Sequence, residues 1–306
     1  MTRRKIFFAG ILVVALSFCL AHVLSAQEMK SGEINWVQGY ITAIGNGTAD
    51  PSGNKVKDRL KSLRAAELVA QRTLLETLKG VRIDSTTTVE NLMLKEDIIN
   101  SRVEGVIRGA QIVKRNVTWE GDVPLASVEM RVCLSMNVEG CRTDSSLITA
   151  LNIGNRSDPP YVPRQRLTPQ TILIPPSPET PKKGITYDSS KPVTGVIVNL
   201  EGRPFERQLL PVIITVAGEN KQITVYSVKN VTPKVIRSHG VVRYADNEDQ
   251  AKKNPYIGEN VMIIPAENVT KENMIVIGPD GVRAIRETTM HGNDYLGDAK
   301  VVISSN

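Results

Sequence analysis

A chain of 306 residues with 41% apolar and 23% charged residues has the composition of an ordinary globular protein, long enough for about two domains. Setting aside Arg3, Arg4 and Lys5 of the leader leaves 35 basic and 32 acidic residues, a balance too even and too scattered for a nucleic-acid surface. Aromatic residues make up only 4%, so any core must be built from Val, Ile, Leu and Ala.

Met1–Ala26 has the three parts of a secretory signal: basic Thr2–Lys5, apolar Ile6–Leu20, then small Ser25 and Ala26. Cleavage is expected there. The alternatives are an uncleaved anchor helix and lipidation at Cys19, for which Phe18 is too bulky a neighbour. The destination is the periplasm or the outer-membrane surface. Cys133 and Cys141 would then sit in an oxidising compartment, as a structural staple or as inert thiols.

Glu33–Ile44 reads as a first strand, broken by Gly45-Asn46-Gly47 and by Asp50–Asn54. The glycines match no phosphate-cradling pattern and read as a plain turn. Val56–Lys79 is an amphipathic helix with Val56, Leu60, Leu63, Ala66, Ala70, Leu74 and Leu78 on its inner stripe. Lys57, Asp58, Lys61, Arg72, Glu76 and Lys79 take the outer side, Glu67 interrupts the stripe, and Gly80 ends the helix in a left-handed conformation. Val81–Val89, β-branched at alternate positions, predicts a strand. Thr87-Thr88-Val89-Glu90 fits a capping box for a second helix to about Glu104, with Leu92, Ile99 and Val103 inward and Gly105 as its stop. Ala110–Trp119 and Leu125–Leu134 follow as a hairpin around Glu120-Gly121-Asp122, with Ala126, Val128, Met130, Val132 and Leu134 on one face.

Residues 152–192 hold nine of the seventeen prolines and predict a semi-stiff linker between domains at 27–151 and 193–306. In the second domain, strands are expected at Thr194–Leu200, Pro211–Ala217, Lys221–Val228, Val241–Tyr244, Val261–Ala266, Ile275–Ile277 and Ala299–Ser304. Helices are expected after Thr232-Pro233, over Asn247–Lys253, and over Pro279–Met290 with Val282, Ala284 and Ile285 inward. The predicted class is α+β: two small domains, each an antiparallel or mixed sheet with helices packed on one side, joined by the proline-rich linker.

Several short motifs in the first domain occur in a particular order. They are Trp36-x-x-Gly39-Tyr40-Ile41, Gly45-x-Gly47, Ala65-Ala66, Ala70, Leu74-Leu75-Glu76, Gly80–Ser85 and Gly105-Val106-Ile107-x-Gly109-Ala110. Over Trp36–Leu134 this order resembles the LPP-twenty family of bacterial outer-membrane lipoproteins. Val241–Ala245 and Asn254–Asn260 look similar to a tail on some longer members. The resemblance implies a compact envelope-assembly domain of the flagellar-accessory or surface-antigen type, with no catalytic residues to carry over.

Chemistry is sparse. His239 precedes Gly240 at a helix end, where the macrodipole favours a cation. His291 and Asp294 share a turn but lack further metal ligands. Asp280-Gly281 reads as a helix start, and no strained nucleophile motif is present. No catalytic, cofactor-binding or metal-binding residue is assigned, and no cofactor is expected. The expected function is a non-enzymatic envelope structural or interaction protein, a flagellar or surface-assembly accessory. Its expected partners are envelope proteins or further copies of itself, at the periphery of the outer membrane, with no nucleic acid and no small-molecule substrate. The alternative is a periplasmic module for a ligand or polysaccharide, which would need a concave pocket with converging polar groups. A hydrolase would have to depend on His239 or His291.

Overall fold

How closely one helix can approach one strand decides the first sheet. In the computed structural model, which describes residues 32–141, 145–153, 184–218, 221–290 and 293–306, β1 (Gly32–Asn35) and β2 (Tyr40–Thr48) form an antiparallel hairpin. The single strand expected over Glu33–Ile44 is interrupted because Gly39 takes φ +77°. The Gly39 and Gln38 amides donate back to the Asn35 carbonyl and side chain, both at 2.8 Å. The signal segment with Cys19, residues 154–183 of the proline-rich stretch, and His291 lie outside the described residues.

Helix α1 (Lys55–Lys79) lies across β2. Gly45 and Gly47 do not break the strand; they belong to it. A side-chain carbon at Gly45 would collide with the Ala66 carbonyl and the Ala70 amide, and one at Gly47 with the Ala66 amide. The glycines form a groove and Ser62, Ala66 and Ala70 the ridge that fills it. This contact also rotates the helix away from part of the predicted stripe. Ala66, Ala70, Leu74 and Leu78 are fully buried, but Val56 and Leu60 are 70% and 62% exposed. Asp58, assigned to the outer side, is buried instead. Its carboxylate accepts the Ser52 hydroxyl at 2.6 Å and the Ser52 amide at 2.8 Å, which hold its pKa below the ordinary carboxylate value. Glu67, inside the stripe, is satisfied by Arg115 at 2.8 Å.

Gly80 ends α1 in a right-handed conformation, φ −72°, not the left-handed one expected. Val81–Val89 is no strand. Asp84 Oδ1 accepts the Thr86 and Thr87 amides at 2.8 and 2.9 Å and folds the segment into a loop, while Val81, Ile83 and Val89 still reach the core. The expected second helix is two: α2 (Val89–Lys95), capped by Thr88 and not Thr87, and α3 (Asp97–Arg108), with extended Glu96 between them. Leu92, Ile99 and Val103 are buried as expected, and Gly105 lies inside α3. Strands β3 (Gln111–Glu120) and β4 (Val123–Cys133) complete the order β1-β2-β4-β3, with Ala126, Val128, Met130 and Val132 buried under α1. The short α4 (Leu147–Ala150) follows.

A disulfide joins Cys133 to Cys141, eight positions apart. Replacing both by serine is expected to cost about 2.5 kcal/mol through the freed loop of the unfolded chain. A lower urea midpoint would show it.

The second sheet is mixed. It contains β5 (Gly195–Asn199), β6 (Ile213–Ala217), β7 (Lys221–Tyr226), β8 (Arg243–Ala245), β9 (Val261–Val269), β10 (Ile275–Ile277) and β11 (Val301–Ser304), in the order β7-β6-β10-β9-β5-β11-β8. Strands β9, β5, β11 and β8 run parallel. Helices α5 (Pro233–His239), α6 (Glu248–Lys252) and α7 (Pro279–Met290) connect them. Val196 and Val198 of β5 share a core with Val282 and Ala284 of α7, whereas Ile197 packs with Ala251 of α6. The one-sided helix packing expected of both sheets holds for the first; in the second, the central parallel strands β5 and β11 are buried on both faces. The fold is α+β, with two sheets and helices packed on each.

The two sheets share a continuous core. Met136 and Asn137, after β4, donate to the Arg237 and Ser238 carbonyls at 3.0 and 2.7 Å. Leu209 and Leu210 donate to the Arg82 and Ile83 carbonyls at 3.0 and 2.8 Å. Trp36 meets Tyr244 of β8 edge to face, with centroids 5.5 Å apart.

Candidate functional site

Along this seam runs a cleft of about 460 Å³. Its floor is set by the way α5 ends. Thr232 caps the helix, Pro233 occupies its first turn, and Gly240 at φ +78° reverses the chain into β8. The reversal places His239, the last helical residue, beside Arg243, the first residue of β8. A 3₁₀ turn over Pro255–Ile257, capped by Asn254, brings Tyr256 against both.

The Arg243 guanidinium lies over the Tyr256 ring at 3.7 Å from its centroid. The His239 ring is 4.2 Å from that of Tyr256. Arg243 Nη2 is 3.1 Å from His239 Nδ1. A guanidinium can only donate, so Nδ1 accepts and the imidazole proton sits on Nε2; Asn137, whose amide lies 3.4 Å from Nε2, accepts that proton with its oxygen turned toward the ring. Tyr256 is held from behind by its hydroxyl, which donates to the Asp298 carbonyl at 2.7 Å. Arg243 Nη1 is buried with no hydrogen-bond partner. Burial lowers the Arg243 pKa to about 10.

The expected cationic His239 is overturned. Burial, and then the positive charge of Arg243, push its pKa below the ordinary value; the Asp298 carboxylate opposes them only in part. The unfolded chain therefore takes the proton first as pH falls. Stability is expected to fall as pH drops through about 6.5 and to level off below the folded value. His239→Gln should flatten the melting temperature over that window relative to the unaltered protein.

Arg243, Lys253 and Glu139 are the formally charged side chains of the lining, so its balance is cationic. Trp36, Val241 and Val242 supply apolar wall. Among the described residues there is no group of three or more His, Cys, Asp or Glu placed to hold a metal, and no helix long and apolar enough to cross a membrane. Asp280 pairs with Arg283 at 3.4 Å in the first turn of α7, which fits its reading as a helix start. Of the cleft residues, sequence singles out His239 for its chemistry, and only as a helix-end cation or as the residue a hydrolase would depend on, not as part of a binding site. The available signal was Arg243 itself, an arginine within the apolar run Val241–Ala245; its stacking on Tyr256 and its contact with His239 depend on tertiary structure.

Residues 195–305, from β5 to β11, match the family model of the second domain of Treponema pallidum Tp0624. His239, Arg243 and Tyr256 fall inside that span; Trp36 and Asn137 fall outside it. No curated protein matches the chain. The resemblance to LPP-twenty lipoproteins is thereby overturned, because the family that matches is a different one and lies in the other half of the chain. Part of that motif set has a local cause instead: the small residues Gly45, Gly47, Ala66 and Ala70 are what a helix pressed onto a strand requires.

Proposed function

We propose that this protein is a non-catalytic binding protein of the bacterial cell envelope. In this reading it is exported through Met1–Ala26 and works in the periplasm or at the outer-membrane surface. Its partners are other envelope proteins or further copies of itself. The observation that carries the reading is the seam cleft, concave and built from both halves of the chain, with Arg243, His239 and Asn137 converging on it. The Cys133–Cys141 disulfide suits an oxidising compartment, and the Treponema match suits a bacterial source. The acceptor nitrogen of His239, Nδ1, is taken up by Arg243, which argues against its use as a base on a nucleophile. The flagellar or surface-assembly role rested on the LPP-twenty resemblance and is dropped with it.

The second reading, a ligand-binding module, is favoured by the same cleft and differs only in the size of what binds. Chemical crosslinking of intact cells, followed by fractionation and mass analysis of the mature N-terminus, tests the proposal. A processed chain in the envelope fraction with specific adducts is the expected result. An unprocessed cytosolic chain without adducts would overturn it.

A further inference from the structure

We propose that the seam cleft receives a carboxylate and that Arg243 is the group that holds it. The inference rests on the binding role above and names the chemistry of what binds. Several partly buried arginines have an acidic partner: Arg203 pairs with Glu201 at 2.9 Å, Arg207 with Asp246 at 2.7 Å, and Arg283 with Asp280 at 3.4 Å. Arg131 and Arg286, like Arg243, have buried guanidinium nitrogens without a hydrogen-bond partner among the described residues, but of the three only Arg243 lines the cleft. Arg243 has no acidic partner among the described residues, although burial strips its hydration far enough to depress its pKa. A buried cation without a counter-charge is costly, and a ligand that supplies the charge relieves that cost.

The geometry specifies the class of anion. All five N–H donors of a guanidinium lie in its plane. Tyr256 stacks beneath that plane and takes none of them. Nη2 gives one to His239 Nδ1, while Nη1 gives none to any group of the protein. What remains is an in-plane edge, the pattern that a planar carboxylate meets. Lys253 is the other formal cation of the lining and Glu139 the acid that offsets it, too little net charge for a phosphate dianion. The apolar wall at Trp36 and Val242 suits a carboxylate carried on a small apolar body. Two sources share this chemistry: the C-terminus of a peptide and a free small acid.

Occupancy has a consequence for His239. The groups that face its ring are Arg243, Tyr256 and Asn137, with Asp298 acting from further off. A carboxylate beside Arg243 offsets the charge that now disfavours the imidazolium, so binding raises the His239 pKa and tightens as pH falls.

The test titrates the mature protein with N-acetyl-alanyl-alanine, its C-terminal amide, sodium acetate and inorganic phosphate, following the His239 ring signals by NMR. The dipeptide acid is expected to shift the His239 titration upward and the amide to leave it in place. Acetate binding more weakly than the dipeptide at the same residues assigns the site to a chain end. Acetate binding equally well assigns it to free acids. Arg243→Met, checked by melting for its fold, should lose at least about tenfold in affinity, and Arg243→Lys less. An unmoved His239 titration in the unaltered protein overturns the proposal, whatever the variants do. So does equal binding of the amide, or tighter binding of phosphate. Envelope crosslinks that persist without any carboxylate response would sink this inference and leave the broader reading standing.

Discussion

Ala70→Asp is expected to unfold the first half of the protein. Ala70 is fully buried, and its backbone touches the space where a Gly45 side chain would be. The new carboxylate would be taken out of water in this packed ridge, and such burial of a charge should cost at least about 3–5 kcal/mol. A typical domain has only about 5–15 kcal/mol in total. Denaturant melting checks it, with Leu60→Asp as the contrast. Leu60 is 62% exposed, so that variant should shift stability by no more than about 0.5 kcal/mol. Equal losses in the two variants would mean that α1 faces the sheet differently.

Gly45→Val is the second large effect. Its side chain would run into the Ala66 carbonyl and the Ala70 amide, which are backbone atoms and cannot rotate aside. Helix α1 would have to lift from β2, at a cost of about 3 kcal/mol or more. Gly105→Ala gives the opposite sign. Nothing lies within 4 Å of a side-chain carbon there, and the residue sits inside α3. It should gain about 0.5–1 kcal/mol from the lower entropy of the unfolded chain. Thermal melts of the two glycine variants, run side by side, separate close approach from simple propensity.

These residues also mark where sequence reading stopped. Periodicity placed Ala66, Ala70, Leu74 and Leu78 correctly, because burial and spacing agree there. It failed at Val56 and Leu60, because the rotation of a helix is decided by what it rests on. Two glycines in a strand nine or more residues upstream outweighed two large apolar side chains. The same glycines passed for a turn, since a close-approach glycine and a turn glycine look alike until a partner is known. The second half was easier. Thr232-Pro233, Gly240, Asn247 and Pro279 signal their helix boundaries locally, and the observed helices follow them. Strand order was out of reach, because β5 pairs with β9 and β11, far apart in the chain. The cleft was illegible for the same reason: Asn137 and His239 meet across 102 positions of sequence.

Site-specific photocrosslinking in intact cells tests most directly the claim that this seam is where the protein binds. A photoreactive residue would replace Asn137 or Lys253, which line the cleft, or Leu94, which is 80% exposed on α2 and outside its lining. Discrete adducts from the two cleft positions, absent at Leu94 and lost when Arg243→Met is added, are the predicted result. Adducts that form equally at Leu94, or that survive Arg243→Met undiminished, would contradict the claim.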